Sequence, residues 1–258
     1  MAGHLATTTT GEDRRRTVRY ETADGVATIT LDCPEQLNRW TPLMAVDLTA
    51  ALDRAENDDD VGAIVLTGAG RAFCAGLDLA EAPSFDAAER PEPTTLPWHL
   101  SKPVIAAVNG HAIGVGATLA LTADVRYIAA EAKVQFPFVR LGLVSELGSH
   151  ALLPRIVGLE AAADLLLSGR LILGDEAREL RLASRCLPAA EIVDAATAWA
   201  RDVAASTNRA AVASSKRLLL RDVEHLLAEI APLEVAALGA LARTPEALAA
   251  LEQLRPPS

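Results

Sequence analysis

Aromatic residues are scarce: three Trp, two Tyr and four Phe amount to 3% of the 258 residues. Half of the chain is nevertheless hydrophobic, so alanine, leucine and valine must fill the interior. Cysteine is equally sparse. Cys33, Cys74 and Cys186 are scattered and none sits in a CxxC spacing, which argues against a disulfide framework or a cysteine zinc site. The five histidines, His4, His99, His111, His150 and His225, show no metal-ligand pairing either; no metal is expected. Basic charge is in deficit, 24 Lys and Arg against 34 Asp and Glu for a net −10. No basic field exists to attract nucleic acid or anionic lipid over distance, and an anionic small molecule would have to be held by local groups. No stretch is long and apolar enough to span a bilayer. Residues 1–16 are polar, with threonines at 7–10 and Arg14-Arg15-Arg16, and lack the apolar core of a signal peptide. A cytoplasmic protein with a mobile tail over 1–16 is the expectation.

The remaining length can bury a sizeable core. Residues 17–22 and 26–31 read as a hairpin turning at Ala23-Asp24-Gly25. Thr41-Pro42 is a helix start, an N-cap with proline at the first helical position. Leu43, Val46, Ala50 and Ala51 are assigned to the inner face of that helix, which ends at 57–60. Residues 61–67 form the next buried strand. Strand, helix, strand implies parallel pairing with right-handed crossovers. The stretch 71–79 reads as a compact loop and 80–97, with its prolines and charges, as a surface insertion bordering a binding site.

The chain is organised around K-P-V-I-A-A-V-N-G-H-A-I-G-V-G-A-T-L-A-L-T-A-D (102–124). Residues 103–108 are a buried strand, Gly110, Gly114 and Gly116 a glycine turn, and 117–121 a buried helix. Residues 124–129 give another strand, tied down by Asp124, and 134–148 are irregular. From 151 onward the chain reads as helical except around 184–187. The expected architecture is α/β: a core over 17–185 and a helical C-terminal region over 186–258. Those last helices show no closed partner within the chain, which suggests that they pack between subunits.

Two backbone sites carry potential chemistry. One is F-C-A-G-L-D (73–78), after the 61–67 strand; the other is Gly114-Val115-Gly116. Glycine-bearing turns at the ends of two parallel strands can aim two N–H groups, those of Leu77 and Val115, at one oxygen. Each donor of such an oxyanion hole contributes roughly 2.7–4 kcal/mol of transition-state stabilisation. Two unrelated tight turns would leave the same spacing.

Four blocks in order then carry a family resemblance: P-E-Q-L-N (34–38), R-A-F-C-A-G-L-D-L (71–79), K-P-V-I-A-A-V-N-G-H-A-I-G-V-G-A-T-L (102–119) and L-P-R-I-V-G (153–158). The chain resembles the crotonase (enoyl-CoA hydratase/isomerase) superfamily over roughly residues 17–220. The resemblance implies a spiral of ββα units with a helical C-terminal trimerisation region, and a homotrimer or dimer of trimers. It also implies an acyl-CoA substrate in fatty acid (lipid) metabolism, an enolate held at the thioester oxygen, and no metal or redox cofactor. Carried over by position, the oxyanion donors fall on Leu77 and Val115. Substrate and CoA contacts fall on Gln36, Leu37, Arg39, Ala75, Gly76, Asp78, Leu79 and Gly114. Arg39 and Trp40 stand near the adenine end of CoA, where charge and stacking can act. Asp78 also fixes its own loop, and Cys74 is a small buried hydrophobe without an activating base.

The reaction depends on acid/base groups. Enoyl-CoA hydratases carry two glutamates at the positions of Thr118 and Phe138 in this chain, and neither residue can serve as a general base. Losing one such group typically costs about 10²–10⁴ in rate. One carboxylate remains: Glu146, in G-L-V-S-E-L-G (142–148), resembles the single acid of 3,2-enoyl-CoA isomerases and of epoxyphenylacetyl-CoA isomerases. Ser145 stands where that family segment has proline. An apolar setting of Leu143, Val144 and Leu147 would raise the pKa of this acid. The alternative for Glu146 is a glutamate in the first turn of a helix, complementing the dipole. The sequence thus implies an acyl-CoA isomerase shifting a double bond, with a hydratase-like lyase or a non-catalytic acyl-CoA binding protein as alternatives.

Overall fold

The computed structural model describes residues 16–78 and 93–254. The tail at 1–15 and most of the 80–97 insertion therefore lie outside the described residues, as does Leu79. The first hairpin forms as expected. Strands β1 (Val18–Ala23) and β2 (Val26–Leu31) pair antiparallel, with Asp24 and Gly25 both at positive φ in the turn. Helix α1 (Pro42–Asn57) is capped by Thr41, whose side chain accepts the Met44 N–H at 3.1 Å. Its buried face is Met44, Ala45, Leu48, Ala51, Leu52 and Ala55. Of the four residues assigned to that face from sequence only Ala51 is buried, and Val46 is 48% exposed. The observed stripe keeps the i, i+4, i+7 spacing but starts one residue later, at Met44.

Strands β3 (Ala63–Gly68), β5 (Val104–Val108), β7 (Val125–Ala129) and β10 (Arg185–Leu187) complete a six-stranded sheet in the order β1-β2-β3-β5-β7-β10, parallel from β2 onward. Every residue of β3 and β5 is buried, as strands covered on both faces must be. Helix α6 (Ala189–Ser206) packs across β2, β3, β5 and β7.

A second sheet corrects the sequence reading in four places. Strands β4 (Ala72–Cys74), β6 (His111–Ile113), β8 (Lys133–Gln135) and β9 (Leu171–Leu173) lie in the order β4-β6-β8-β9. They fall in stretches read as a loop, a glycine turn, an irregular segment and a helix. Each has three residues, too few to display a period-two pattern. Helix α2 (Val115–Leu121) begins directly after β6 and packs on β4 and β6. Beyond it come α3 (Ser149–Val157), α4 (Leu159–Ser168) and α5 (Gly174–Glu179), then α6, α7 (Arg209–Leu241) and α8 (Pro245–Leu254).

The end of α7 and α8 do find a partner within the chain. Leu238, Ala242, Ala247 and Leu251 form a small core of their own with Leu143, against which Phe138, Leu141 and Val144 pack. Earlier on α7, Lys216 is buried and its Nζ donates to Asp124 Oδ2 (2.7 Å) and to the carbonyls of Pro97 (2.8 Å) and Lys102 (2.9 Å). Asp124 also accepts the Val104 N–H at 2.7 Å, so it does tie β7 to β5, and α7 to both. Burial lowers the Lys216 pKa, against the pull of Asp124.

Replacing Lys216 by Met leaves Asp124 without its cation and is expected to cost about 3 kcal/mol, the low end for breaking a buried pair. The low end applies because the Asp124 side chain keeps 21% of its exposure. A urea unfolding curve that loses less than a third of that would refute the cross-link's importance.

Candidate active site

The site is built by one close approach. A Cβ on Gly110 would lie 2.1 Å from the Arg71 carbonyl oxygen, and one on Gly116 would lie 2.1 Å from that of Cys74. The backbone around β4 therefore rests on the central stretch with no room for a side chain between them. Gly114 is different. At φ 55° and ψ −121° it adopts a conformation that L side chains resist, and its N–H donates to Gln135 at 2.9 Å. Its carbonyl takes the Ala117 and Thr118 N–H groups, which starts α2. Val115 is thus the first residue of the helix, where an N–H has no intrahelical acceptor.

The Leu77 amide is freed by a different device. Trp40 and Leu77 form a parallel bridge in which the Trp40 N–H donates to Gly76 (2.7 Å) and the Asp78 N–H to Trp40 (2.9 Å). In such a bridge the flanking residues make the bonds, and Leu77 points its own N–H away from Trp40. Among the described residues no carbonyl takes it. The two loops touch: a Cβ on Gly76 would be 3.3 Å from the Ile113 carbonyl, and one on Gly114 3.9 Å from the Gly76 Cα.

Between them opens a cavity of about 150 Å³. Ala75, Gly76 and Leu77 line one side and Ile113, Gly114 and Val115 another. Pro137, Phe138, Leu141 and Leu143 continue the wall, and Leu238, Leu251 and Leu254 from α7 and α8 close it. Among the described residues, the one ionisable group in this lining is Glu146. It is 4% exposed and precedes α3, which starts only at Ser149. The first-turn helix reading of Glu146 is therefore corrected. Its segment turns sharply, with Leu147 and Gly148 both at positive φ (55° and 67°).

Thr118 is fully buried, and its hydroxyl donates back to the Val115 carbonyl at 3.1 Å. Phe138 presents an aromatic ring to the cavity. Neither supplies an acid. Burial pushes the Cys74 thiol up to about 12, which keeps it protonated and inert.

Of the contacts carried over from the resemblance, Ala75, Gly76 and Gly114 line the cavity with Leu77 and Val115. Gln36, Leu37 and Arg39 lie on a turn beside it, Gln36 and Arg39 exposed. That turn is bound to the loop, since the Leu37 carbonyl accepts the Ala75 N–H at 3.1 Å. Asp78 is buried at the end of the loop. Trp40, expected to stack on a nucleotide, is 4% exposed and belongs to the core. Its ring is committed to packing.

Two contributions were not read from sequence. Asn38 is fully buried; its side chain accepts the Cys33 N–H and donates to the carbonyls of Ala69 (2.9 Å) and Ala72 (2.8 Å). It staples the turn at 33–38 to the start of β4. A buried Asn at a positive φ (52°) is a turn signal, but nothing local names its distant partners. The other is the wall of Leu238, Leu251 and Leu254: the region read only as helical, with no indication of what it covers.

An Enoyl-CoA hydratase/isomerase family model matches residues 21–254. A probable enoyl-CoA hydratase of Rhodobacter capsulatus is 42% identical over 179 residues, covering 67% of this chain and 69% of that protein. The 1,2-epoxyphenylacetyl-CoA isomerase of Escherichia coli is 38% identical over 191 residues, 70% and 73% of the two chains. A solved structure of a monofunctional enoyl-CoA isomerase from M. smegmatis superposes with a TM-score of 0.69 at 33% identity, over 81% of this chain and 95% of that one.

Gly114→Ala should cost roughly 1–3 kcal/mol for a strained backbone position. It should also disturb the first turn of α2 more than a Gly158→Ala control, which strains a positive-φ glycine too (87°) but at the start of α4. Amide hydrogen exchange at 115–118, read beside the unfolding free energy, checks both. Unchanged exchange in Gly114→Ala would mean that the turn tolerates a side chain.

Proposed function

The chain belongs to the enoyl-CoA hydratase/isomerase family, within the crotonase superfamily, and on that premise we propose that it is an acyl-CoA isomerase that moves a double bond from 3-enoyl-CoA to 2-enoyl-CoA. One observation carries this reading: a buried carboxylate, Glu146, single among the described lining residues, shares an apolar cavity with Leu77 and Val115. The 3-enoyl thioester enters with its carbonyl oxygen at those two N–H groups. Glu146 takes a proton from C2, and the negative charge moves to the thioester oxygen, where the two donors stabilise the dienolate. The same carboxyl returns the proton to C4, leaving C2=C3 conjugated with the thioester. One base and two donors suffice, and the CoA thioester is the only partner the reaction requires.

Hydration would need a second group to activate water. Thr118 spends its hydroxyl on a backbone carbonyl and Phe138 has none to offer. The relatives include both hydratases and isomerases, so the preference for isomerisation rests on these two side chains and on Glu146. A space of about 150 Å³ suits a compact apolar acyl group, since a dry cavity of that size in another protein holds a benzene ring.

The exposed leucines of α7, Leu218 (71%), Leu219 (80%) and Leu233 (64%), support assembly into a homotrimer or a dimer of trimers. Light scattering on the purified protein should return three or six times the 27.1 kDa subunit mass; a monomer would refute the assembly.

Glu146→Gln should lower the turnover of 3-enoyl-CoA by about 10²–10⁴-fold, followed by the absorbance of the conjugated 2-enoyl thioester. A variant with full activity would sink the assignment of the base. Binding of acyl-CoA without turnover of any enoyl isomer by the unmodified protein would instead indicate a carrier.

A further inference from the structure

The segment that carries Glu146 is held from the far end of the chain. Glu234 of α7 is 4% exposed and sits two residues after Pro232, a proline inside that helix. Its carboxylate accepts the Gly148 N–H (2.8 Å), the His150 N–H (2.9 Å) and the Ser149 hydroxyl (3.2 Å), and meets His150 Nδ1 at 2.7 Å. Ser149 passes the connection on, its Oγ lying 2.6 Å from the Ser145 Oγ. Glu146 is thus flanked on both sides by residues of one hydrogen-bonded cluster centred on Glu234.

The backbone between them needs such a hold. Leu147 and Gly148 follow Glu146 in consecutive left-handed conformations, which a side chain like that of Leu147 resists. Strain of this kind persists only where the surroundings over-determine it. Here α7 supplies two restraints on one residue. Glu234 binds the Gly148 amide, and a Cβ on Gly148 would lie 2.2 Å from the Leu227 side chain.

We propose that Glu234 is a positioning residue for Glu146, fixing the direction of the reacting carboxylate through Gly148, Ser149 and His150. The inference rests on the reading of Glu146 as the proton-transferring base. Glu234 and the cavity-lining Leu238 lie four residues apart, on one face of α7. The helix therefore closes the acyl cavity and sets the base in one docking event.

The test compares Glu234→Gln, Glu146→Gln and the double variant in the full-length enzyme with 3-enoyl-CoA. A positioning role predicts that Glu234→Gln lowers kcat by about 10- to 100-fold through misplacement of a reacting group, with KM within about twofold. It also predicts no further fall when Glu234→Gln is added to Glu146→Gln, measured as hydrogen–deuterium exchange at C2. An unchanged kcat overturns the proposal, as does a loss in the double variant equal to the product of the single ones. A fully active Glu146→Gln enzyme removes the base assignment itself, whereas an impaired Glu146→Gln with an unimpaired Glu234→Gln removes only the positioning role. If Glu234→Gln does not fold, Ser149→Ala takes its place. A fall in kcat of about threefold at constant KM supports the proposal, and no fall overturns it.

Discussion

Everything in this molecule that can act on a thioester depends on one steric constraint, the seating of the β4 backbone on Gly110 and Gly116. Carbonyl oxygens of Arg71 and Cys74 occupy the space that a methyl group at either glycine would need. With β4 in that place, the loop after it brings Leu77 beside Gly114 and Val115. Nothing larger than hydrogen can stand between the two segments. Asn38 reinforces the arrangement by binding the carbonyls of Ala69 and Ala72 at the start of β4, and Trp40 by taking up the bonds on either side of Leu77. The Asn38 side chain and the Trp40 main chain serve the loop, and the Trp40 ring packs in the core.

Buried charge does comparable work in a chain whose net charge is −10. Arg126 donates to the carbonyls of Ala123 (2.6 Å) and Leu121 (3.4 Å) at the C-terminal end of α2, and to Leu182 (2.8 Å). Burial draws its pKa down to about 10, partly offset by Asp124. A cation at that end complements the helix dipole, while the opposite end offers the Val115 N–H to the cavity. Lys216 and Asp124 perform the analogous service for β5, β7 and α7. These groups hold the helices and strands that present the amides.

How much of this was legible depended on the length of the signal. The strands β3 and β5 announce themselves as apolar runs, and the hairpin by its Asp-Gly turn. The second sheet was invisible because its strands are only three residues long. The glycine stretch was legible as a turn, but its glycines divide by cause: Gly114 for its dihedral angles, Gly110 and Gly116 for the contact with β4. That second cause depends on a partner some forty residues away, which no local pattern encodes. Glu146 was legible from its motif and from the absence of acids at Thr118 and Phe138. The wall of Leu238 and Leu251 was not, because a region read as helical does not say which of its residues are buried or what they face. Trp40 misled for the same reason, since an aromatic next to an arginine suggests a ligand until the core is seen to need it.

The closure of the cavity by Leu238, Leu251 and Leu254 ties its shape to the last helix of the fold. A chain cut before α8 would lose Ala247 and Leu251, which pack with Leu143 and Leu238. Leu143 and Phe138 would then face water, and the apolar wall would open although every residue from 75 to 146 was still in place.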